Sequence, residues 1–302
     1  NARCRWTPNL PVSGPYDVYA HVVVSSNRTR NAPFVVAYEG GSVNVAFLYD
    51  DGNADGSKGG AELTMEAFAA CCPSEVAFTD LVEADVVVVG NCVQFDPAIV
   101  SLLEGRKVWR YHHDLARHED PALRHWLDDQ ADHIFTGPMH RQRYGVQWDH
   151  GIKDCPIIPP VVDLGLFRPN RQARRHPDRE GTCSVASWQG PGKGASLIEA
   201  WARENGPVNC YGPGEFGPHG PNIIWRWGDC PPNVLAQELQ RYERFVFLPL
   251  AVEPFGRCVV EAWAAGCELV INGNVGASWW IENDPDALET AGQDFWELVL
   301  NG

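Results

Sequence analysis

Lysine is almost missing from this sequence: Lys58, Lys107, Lys153 and Lys193 are the whole set, and arginine supplies the remaining positive charge. A lysine inside a glycine-rich loop therefore stands out. Positive charge as a whole is short, with 24 Lys and Arg against 39 Asp and Glu and a formal net charge of −15. That balance argues against a surface that neutralises many phosphates, because nucleic-acid binding rests on clustered basic residues. No apolar run approaches the roughly 20 residues a membrane helix needs. Nothing at Asn1 has the basic-then-apolar pattern of a signal peptide. A soluble, cytoplasmic protein without a membrane span is expected. Zinc-type cysteine spacing is missing too: Cys71 and Cys72 are adjacent, and Cys258 and Cys267 are too far apart for a knuckle. The 10 cysteines are spread over a chain large enough to fold without staples, several in apolar stretches (Cys92, Cys258, Cys267), so buried thiols are expected.

What is present is an alternation of strand and helix patterns. At 302 residues and 44% hydrophobic content the chain has room for two domains. From Val43, VNVAFLYDD, GNADGSKGG and AELTMEAFAACC read as strand, glycine-rich loop and helix. ADVVVVGN (84–91) is a continuous apolar run suited to a strand buried on both faces. KVWRYHHD (107–114) and HIFTG (133–137) read as further strands, and CPIIPPVVD (155–163) as a short one broken by prolines. Residues 166–180 are rich in Arg, Pro and Asn without hydrophobic periodicity and mark a domain boundary. A second series follows: the strand TCSVAS, the loop QGPGKG, the helix ASLIEAWARENG closing on Gly206, then VNCYG, NIIWRWG, the helix NVLAQELQRYE, the strand RFVFLPL, the helix RCVVEAWAAG and the strand ELVING. The expected fold class is α/β. The expected domains are a β-rich appendage over 1–42, a Rossmann-like domain over 43–165 and a second over 166–302, with ligands bound in the crevice beyond the strand ends. Between Pro73 and Ala84 a strand-helix unit reads as pared down. Within 1–42, RWTPNLPVSGPYDVYAHV resembles part of the golvesin-type β-sandwich modules found beside extracellular enzymes, over a stretch too short for a complete sandwich.

The stretch LPLAVEPFGRCVVEAWAAGCELVINGNVGA (248–277) carries the strongest chemical signal. A strand ends near Leu250, a loop holds Glu253, Pro254, Phe255 and Gly256, and a helix starts near Arg257 with Glu261 in its second turn. The spacing from Glu253 to Glu261 and the strand-loop-helix-strand context resemble the large retaining GT-B glycosyltransferase family with its E-x7-E motif. Three further loops match that family in order. SWQGPGKG (187–194) resembles its glycine-arginine-x-x-x-x-lysine-glycine loop at Lys193 and Gly194, with Trp188 where the family has arginine. GSKGGAEL (56–63) resembles its glycine-rich loop at Gly59 and Gly60. VWRYHHDLARH (108–118) ends a strand at His113, beside Asp114, where the family keeps a histidine near the reacting sugar. IIPPVVDLGLFRP (157–169) resembles the segment closing the family's N-terminal domain, with Pro160, Val162, Asp163, Phe167, Arg168 and Pro169 in matching places and Pro160-Val161 standing for Asn-Gly.

The resemblance, over 43–300, implies a GT-B fold of two facing Rossmann-like domains. It also implies transfer of a sugar from a nucleoside diphosphate sugar, with retention, to an acceptor that the sequence leaves unnamed: a glycan, a lipid, a small molecule or DNA. It implies His113, Lys193 and Glu253 as catalytic residues. Gly59, Gly60, Lys193, Glu253, Pro254, Phe255, Gly256 and Glu261 would bind the donor, Glu253 holding sugar hydroxyls and Glu261 the ribose diol. No cofactor or metal is expected: no paired DxD sits in a strand-end loop, and Asp50-Asp51 with Asp55 reads as a turn. Lys193, helix N-termini and loop N–H groups would then meet the charge of the leaving diphosphate. Three readings stay open beside this one: a GT-B epimerase or phosphorylase, a non-catalytic sugar-nucleotide binding protein motivated by Trp188, and a DNA-modifying glycosyltransferase. The last calls for a basic groove lined by Arg106, Arg110 and Arg117.

Overall fold

The computed structural model describes residues 43–50, 59–91, 95–115, 120–148, 154–168, 179–228 and 230–302, all within one unit, Pro33–Gly302. The expected β appendage over 1–42 lies outside the described residues, as do Asp51, Asp55, Lys58, Cys92, Arg117, Lys153 and Pro169. Among the described residues the chain runs β1 (Val43–Leu48), α1 (Gly60–Ala70), β2 (Val76–Phe78), β3 (Val86–Val89), α2 (Val100–Leu103), β4 (Lys107–His112), α3 (Pro121–Gln130), β5 (Asp132–Phe135), α4 (Pro138–Trp148) and α5 (Leu164–Phe167). It continues through β6 (Thr182–Val185), α6 (Ala195–Asn205), β7 (Val208–Tyr211), β8 (Ile223–Trp227), α7 (Pro232–Leu239), β9 (Arg244–Phe247), α8 (Arg257–Ala264), β10 (Glu268–Ile271), α9 (Ala277–Asn283) and α10 (Ala287–Asn301). No helix among them is long and apolar enough to cross a membrane.

The strands form two parallel five-stranded sheets, ordered β2-β1-β3-β4-β5 and β10-β9-β6-β7-β8. These are the two doubly wound units expected from the strand and helix patterns. The physical reason is visible in β3, whose four valines are all buried, as in a sheet covered on both faces. On the covering side, α8 turns Val259, Val260, Ala262 and Ala264 inward. Helix α6 stops at Gly206, whose φ of +105° suits glycine and ends the helical hydrogen bonding. In each sheet the strand order reverses once, between β1 and β3 and between β6 and β9. The loops leaving those carboxyl ends frame the crevices in which open α/β sheets bind ligands.

One local expectation needs adjusting and another holds. The strand expected over 155–163 is reduced to a single bridge from Ile157 to Phe135, because Pro156, Pro159 and Pro160 have no N–H to extend a ladder. The pared-down interval after Pro73 keeps the three-residue edge strand β2 and no helix.

The chain also passes between the sheets. In α5, Leu164 and Phe167 join the core under the second sheet. Helix α10 comes last in sequence yet packs on the first sheet, through Phe295, Trp296 and Val299. Phe295 stacks on Phe68 with centroids 3.9 Å apart, and the Trp296 indole stacks on Phe47 at 5.6 Å while its N–H donates to the Phe68 carbonyl at 2.8 Å. Trp296→Ala therefore removes a buried ring and one of the two hydrogen bonds to the Phe68 carbonyl, which keeps the Cys71 N–H. It is expected to lower the unfolding free energy by about 3–5 kcal/mol, read from urea unfolding. A variant as stable as the parent would show that the first domain does not depend on this helix.

Candidate functional site

The loops that leave β6 and β9 meet at the reversal point of the second sheet, and glycine lets them meet closely. Gly194 has φ +78°, and a Cβ there would lie 1.8 Å from the Leu248 carbonyl oxygen. The Gly192 carbonyl accepts the N–H groups of Leu250 at 2.8 Å and Ala251 at 3.1 Å. With the backbones locked together, Lys193 forms an ion pair with Glu253. Glu253 is fixed from the other side: its N–H donates to the Asn274 carbonyl at 2.8 Å and its carbonyl accepts from Gly276 at 2.9 Å. Side-chain amides of Asn272 and Asn274 both donate to the Pro249 carbonyl, at 3.0 and 2.9 Å. Burial lowers the Lys193 pKa, but the Glu253 carboxylate together with smaller contributions from Cys258 and Asp114 outweighs it and the net shift is upward, so the ammonium stays charged.

Gly256, at φ +84°, turns this loop into α8. No side chain caps that helix, and the N–H groups of Phe255, Gly256 and Arg257 donate to nothing else among the described residues. One turn in, Glu261 is buried. Arg257 holds it, with Nε donating to Oε1 at 3.1 Å, while Nη1 donates to the Val161 carbonyl at 2.9 Å. Burial raises the Glu261 pKa and Arg257 pulls it back down, the burial effect being larger. The Cys258 thiol lies within the electrostatic reach of Glu261, Glu253 and Lys193, and burial, then the two carboxylates, push its pKa up. Lys193, Glu253 and Glu261 thus share one small region. Trp188 does not belong to it. Its ring is fully buried, donates from Nε1 to the Tyr211 carbonyl at 2.9 Å and meets Trp225 edge-on, so position 188 serves the core of the second domain.

The first domain brings the end of β4. Successive residues of a strand face opposite ways: His112 turns into the core and contacts His133 through Nε2 and Nδ1 at 2.7 Å. His113 packs beside Tyr111, and its buried Nε2 has no partner among the described residues. Burial, with His140 nearby, holds its pKa down at about 3. The charge of the next residue, Asp114, makes a small contribution to raising the Lys193 pKa. His140 was not singled out by any sequence signal, since it sits among polar residues of α4. It is fully buried between the Asp114 carbonyl (Nε2, 3.2 Å) and the Thr136 hydroxyl (Nδ1, 2.9 Å), with burial lowering its pKa to about 4. Arg257 was equally silent in the sequence.

At the start of α1 the Gly59 N–H already donates to the Glu62 carboxylate at 2.7 Å, and the Gly60 carbonyl accepts the Thr64 hydroxyl at 2.6 Å. A phosphate approaching Gly59 would have to displace Glu62. The basic groove needed for a DNA substrate is not built by Arg106 or Arg110. Arg106 is spent on the carbonyls of Ala84, Leu102 and Val82, and Arg110 is buried against Asp128 at 3.4 Å. Among the described residues no group of three or more His, Cys, Asp or Glu side chains is arranged to hold a metal ion.

No family model matches the chain, and no curated protein matches it. Solved structures do. HepE of Anabaena, in complex with UDP and glucose, superposes with a TM-score of 0.58 at 13% identity, over 85% of this chain and 94% of that one. AviGT4, a glycosyltransferase involved in avilamycin A biosynthesis, gives 0.57 at 17% identity over 86% and 88%. WaaG, a glycosyltransferase involved in lipopolysaccharide biosynthesis, gives 0.55 at 12% identity over 86% and 100%. The fold is therefore the GT-B arrangement of two Rossmann-like domains.

The two depressed histidines make stability depend on pH. Folded, His113 and His140 stay neutral until about 3 and about 4, whereas in the unfolded chain they protonate near 6.5. The unfolded state thus binds more protons below 6.5, so this contribution is complete above that pH and is lost as pH falls towards 4. For His140 alone the loss at pH 5 is expected to be about 2 kcal/mol. Nitrogen NMR should find two imidazoles still neutral at pH 5. If all the histidines of the folded protein titrate near 6.5, the burial argument is wrong.

Proposed function

We propose that this chain is a glycosyltransferase that takes a sugar from a nucleoside diphosphate sugar, with retention of configuration and without a metal ion. The observation that carries the reading is the Lys193–Glu253 pair at the reversal point of the second sheet, next to the uncapped start of α8. A cation and free N–H groups side by side are what a diphosphate needs, and the helix dipole adds to them. HepE, which shares the fold, was solved with UDP and with UDP-glucose, which favours a uridine diphosphate sugar as donor.

In this reading the diphosphate takes Lys193 from Glu253, and the freed Glu253 carboxylate accepts sugar hydroxyls. Phe255, Gly256 and Arg257 donate backbone N–H groups to phosphate or sugar oxygens, with Gly256 allowing close approach and Pro254 shaping the turn. Glu261 receives the ribose diol beside Arg257. Charge building on the leaving diphosphate is met by Lys193 and the start of α8, fixed donors that need no reorganisation. His113, neutral and unpartnered at Nε2, offers one hydrogen bond to the reacting sugar or the acceptor. Gly59 and Gly60 approach the phosphates from the first domain once Glu62 turns away.

A second reading is a sugar-nucleotide binding protein without transfer. It draws on the inward Trp188, which leaves no arginine five residues before Lys193, and on Arg257 already occupying Glu261.

A thermal-shift panel of UDP-, GDP-, ADP- and dTDP-sugars tests the donor assignment, since a ligand at 100 times its dissociation constant stabilises by about 2.7 kcal/mol. The preferred donor is expected to lose the shift in Glu261→Ala and to bind at least about tenfold more weakly in Lys193→Met. Turnover of that donor should persist in a chelator, with the product anomer read by NMR. Donor binding that ignores both substitutions would remove the basis of the proposal, and tight binding with no hydrolysis or transfer would select the second reading.

A further inference from the structure

The β5–α4 corner of the first domain is inserted against the donor-side loop of the second. Thr136 and His140 are both buried there. The Thr136 hydroxyl lies 2.9 Å from His140 Nδ1 and 3.2 Å from the Pro254 carbonyl, and the Thr136 carbonyl accepts the Trp280 indole N–H at 2.8 Å. Gly137 leaves room for that indole, since a Cβ would sit 3.0 Å from its nitrogen. On the other side of the imidazole, Nε2 reaches the Asp114 carbonyl at 3.2 Å, one residue beyond His113. A chain of contacts therefore runs from the His113–Asp114 turn through His140 and Thr136 to Pro254, the neighbour of Glu253.

Protons can be assigned along this chain. The Asp114 carbonyl only accepts, so a neutral His140 carries its proton on Nε2, and Nδ1 accepts from Thr136. The single hydroxyl proton of Thr136 then faces two acceptors, Nδ1 and the Pro254 carbonyl. The loop is thereby held in place without a full-strength bond at each end, and both ends are referenced to one buried ring.

We infer that His140, acting with Thr136, is a positioning residue that couples the His113–Asp114 turn of one domain to the Glu253–Gly256 loop of the other. The inference rests on the reading of the site given above, because it assigns the two coupled segments to the reacting sugar and the donor. Neither residue needs to touch substrate. Their effect is on the spacing between two groups that do, and misplacement by about 1 Å can cost on the order of a hundredfold in rate.

Thr136→Val keeps the shape and removes the hydroxyl; Thr136→Ser keeps the hydroxyl. With the protein's preferred nucleotide sugar, Thr136→Val is expected to lower kcat by about tenfold or more while KM and UDP affinity stay within about twofold. Thr136→Ser should restore kcat. Amide exchange should rise together in the segments around Asp114 and around Pro254 in Thr136→Val and in His140→Phe, and return to the parent level in Thr136→Ser. Unchanged kcat in Thr136→Val, or exchange that rises in only one segment, would overturn the coupling. So would a fall in kcat that tracks lost UDP affinity and is not rescued by serine. Failure of the parent to bind any nucleotide sugar would strike at the proposed function instead, and the exchange pattern would still decide the coupling.

Discussion

Backbone contact between the loops leaving β6 and β9 is the constraint on which the candidate site depends. At Gly194 a Cβ would collide with the Leu248 carbonyl, and at Gly276 one would lie 1.9 Å from the Pro254 carbonyl. Glycine at these two positions lets three segments pack main chain to main chain, with hydrogen bonds from Leu250, Ala251, Glu253 and Gly276 closing the gaps. Lys193 and Glu253 are then held by a frame of peptide groups and reach each other without either side chain having to search. Any side chain wider than hydrogen at Gly194 would part the loops and the ion pair together.

The charges of this region are paired among themselves. Lys193 holds Glu253, Arg257 holds Glu261, and Glu62 occupies the Gly59 N–H. Partly buried charges left alone would be costly, and internal pairing offsets that cost. In the proposed function, ligand binding is an exchange of partners, so part of the attraction of each new contact is offset by the loss of an old one. Arg257 also has a structural role: its bond to the Val161 carbonyl ties α8 to the segment that leaves the first domain.

The two domains are joined by buried elements at two places. Helix α10 completes the aromatic core of the first domain around Phe47, Phe68 and Phe295. The Thr136–His140 corner meets Pro254 and Trp280. Such contacts resist relative motion more than a flexible linker does. They also mean that the second domain, cut at the composition boundary near residues 166–180, would carry off a helix that the first domain packs against.

Sequence by itself determined the alternation of strands and helices, since Val86–Val89 or the apolar face of α8 can hardly be buried any other way, and it determined which loops follow strand ends. Lys193, Glu253, Gly256 and Glu261 stood out through the resemblance of their loops to a family motif, and that the two loops approach each other follows from topology, since loops leaving neighbouring strands of a parallel sheet at its reversal point lie side by side. Side-chain direction was not legible. Trp188 stood in the place of an arginine in the motif, yet a large ring beside Tyr211 and Trp225 is better buried than exposed, and only the packed second domain supplies that cavity. Whether Arg106 and Arg110 line a groove was likewise not legible, and the fold gives one a set of carbonyls and the other Asp128. His140 and Thr136 carry no motif at all. Their meaning comes from contacts that span up to 144 residues of chain, and a local pattern cannot encode a partner that only tertiary packing brings within hydrogen-bond distance.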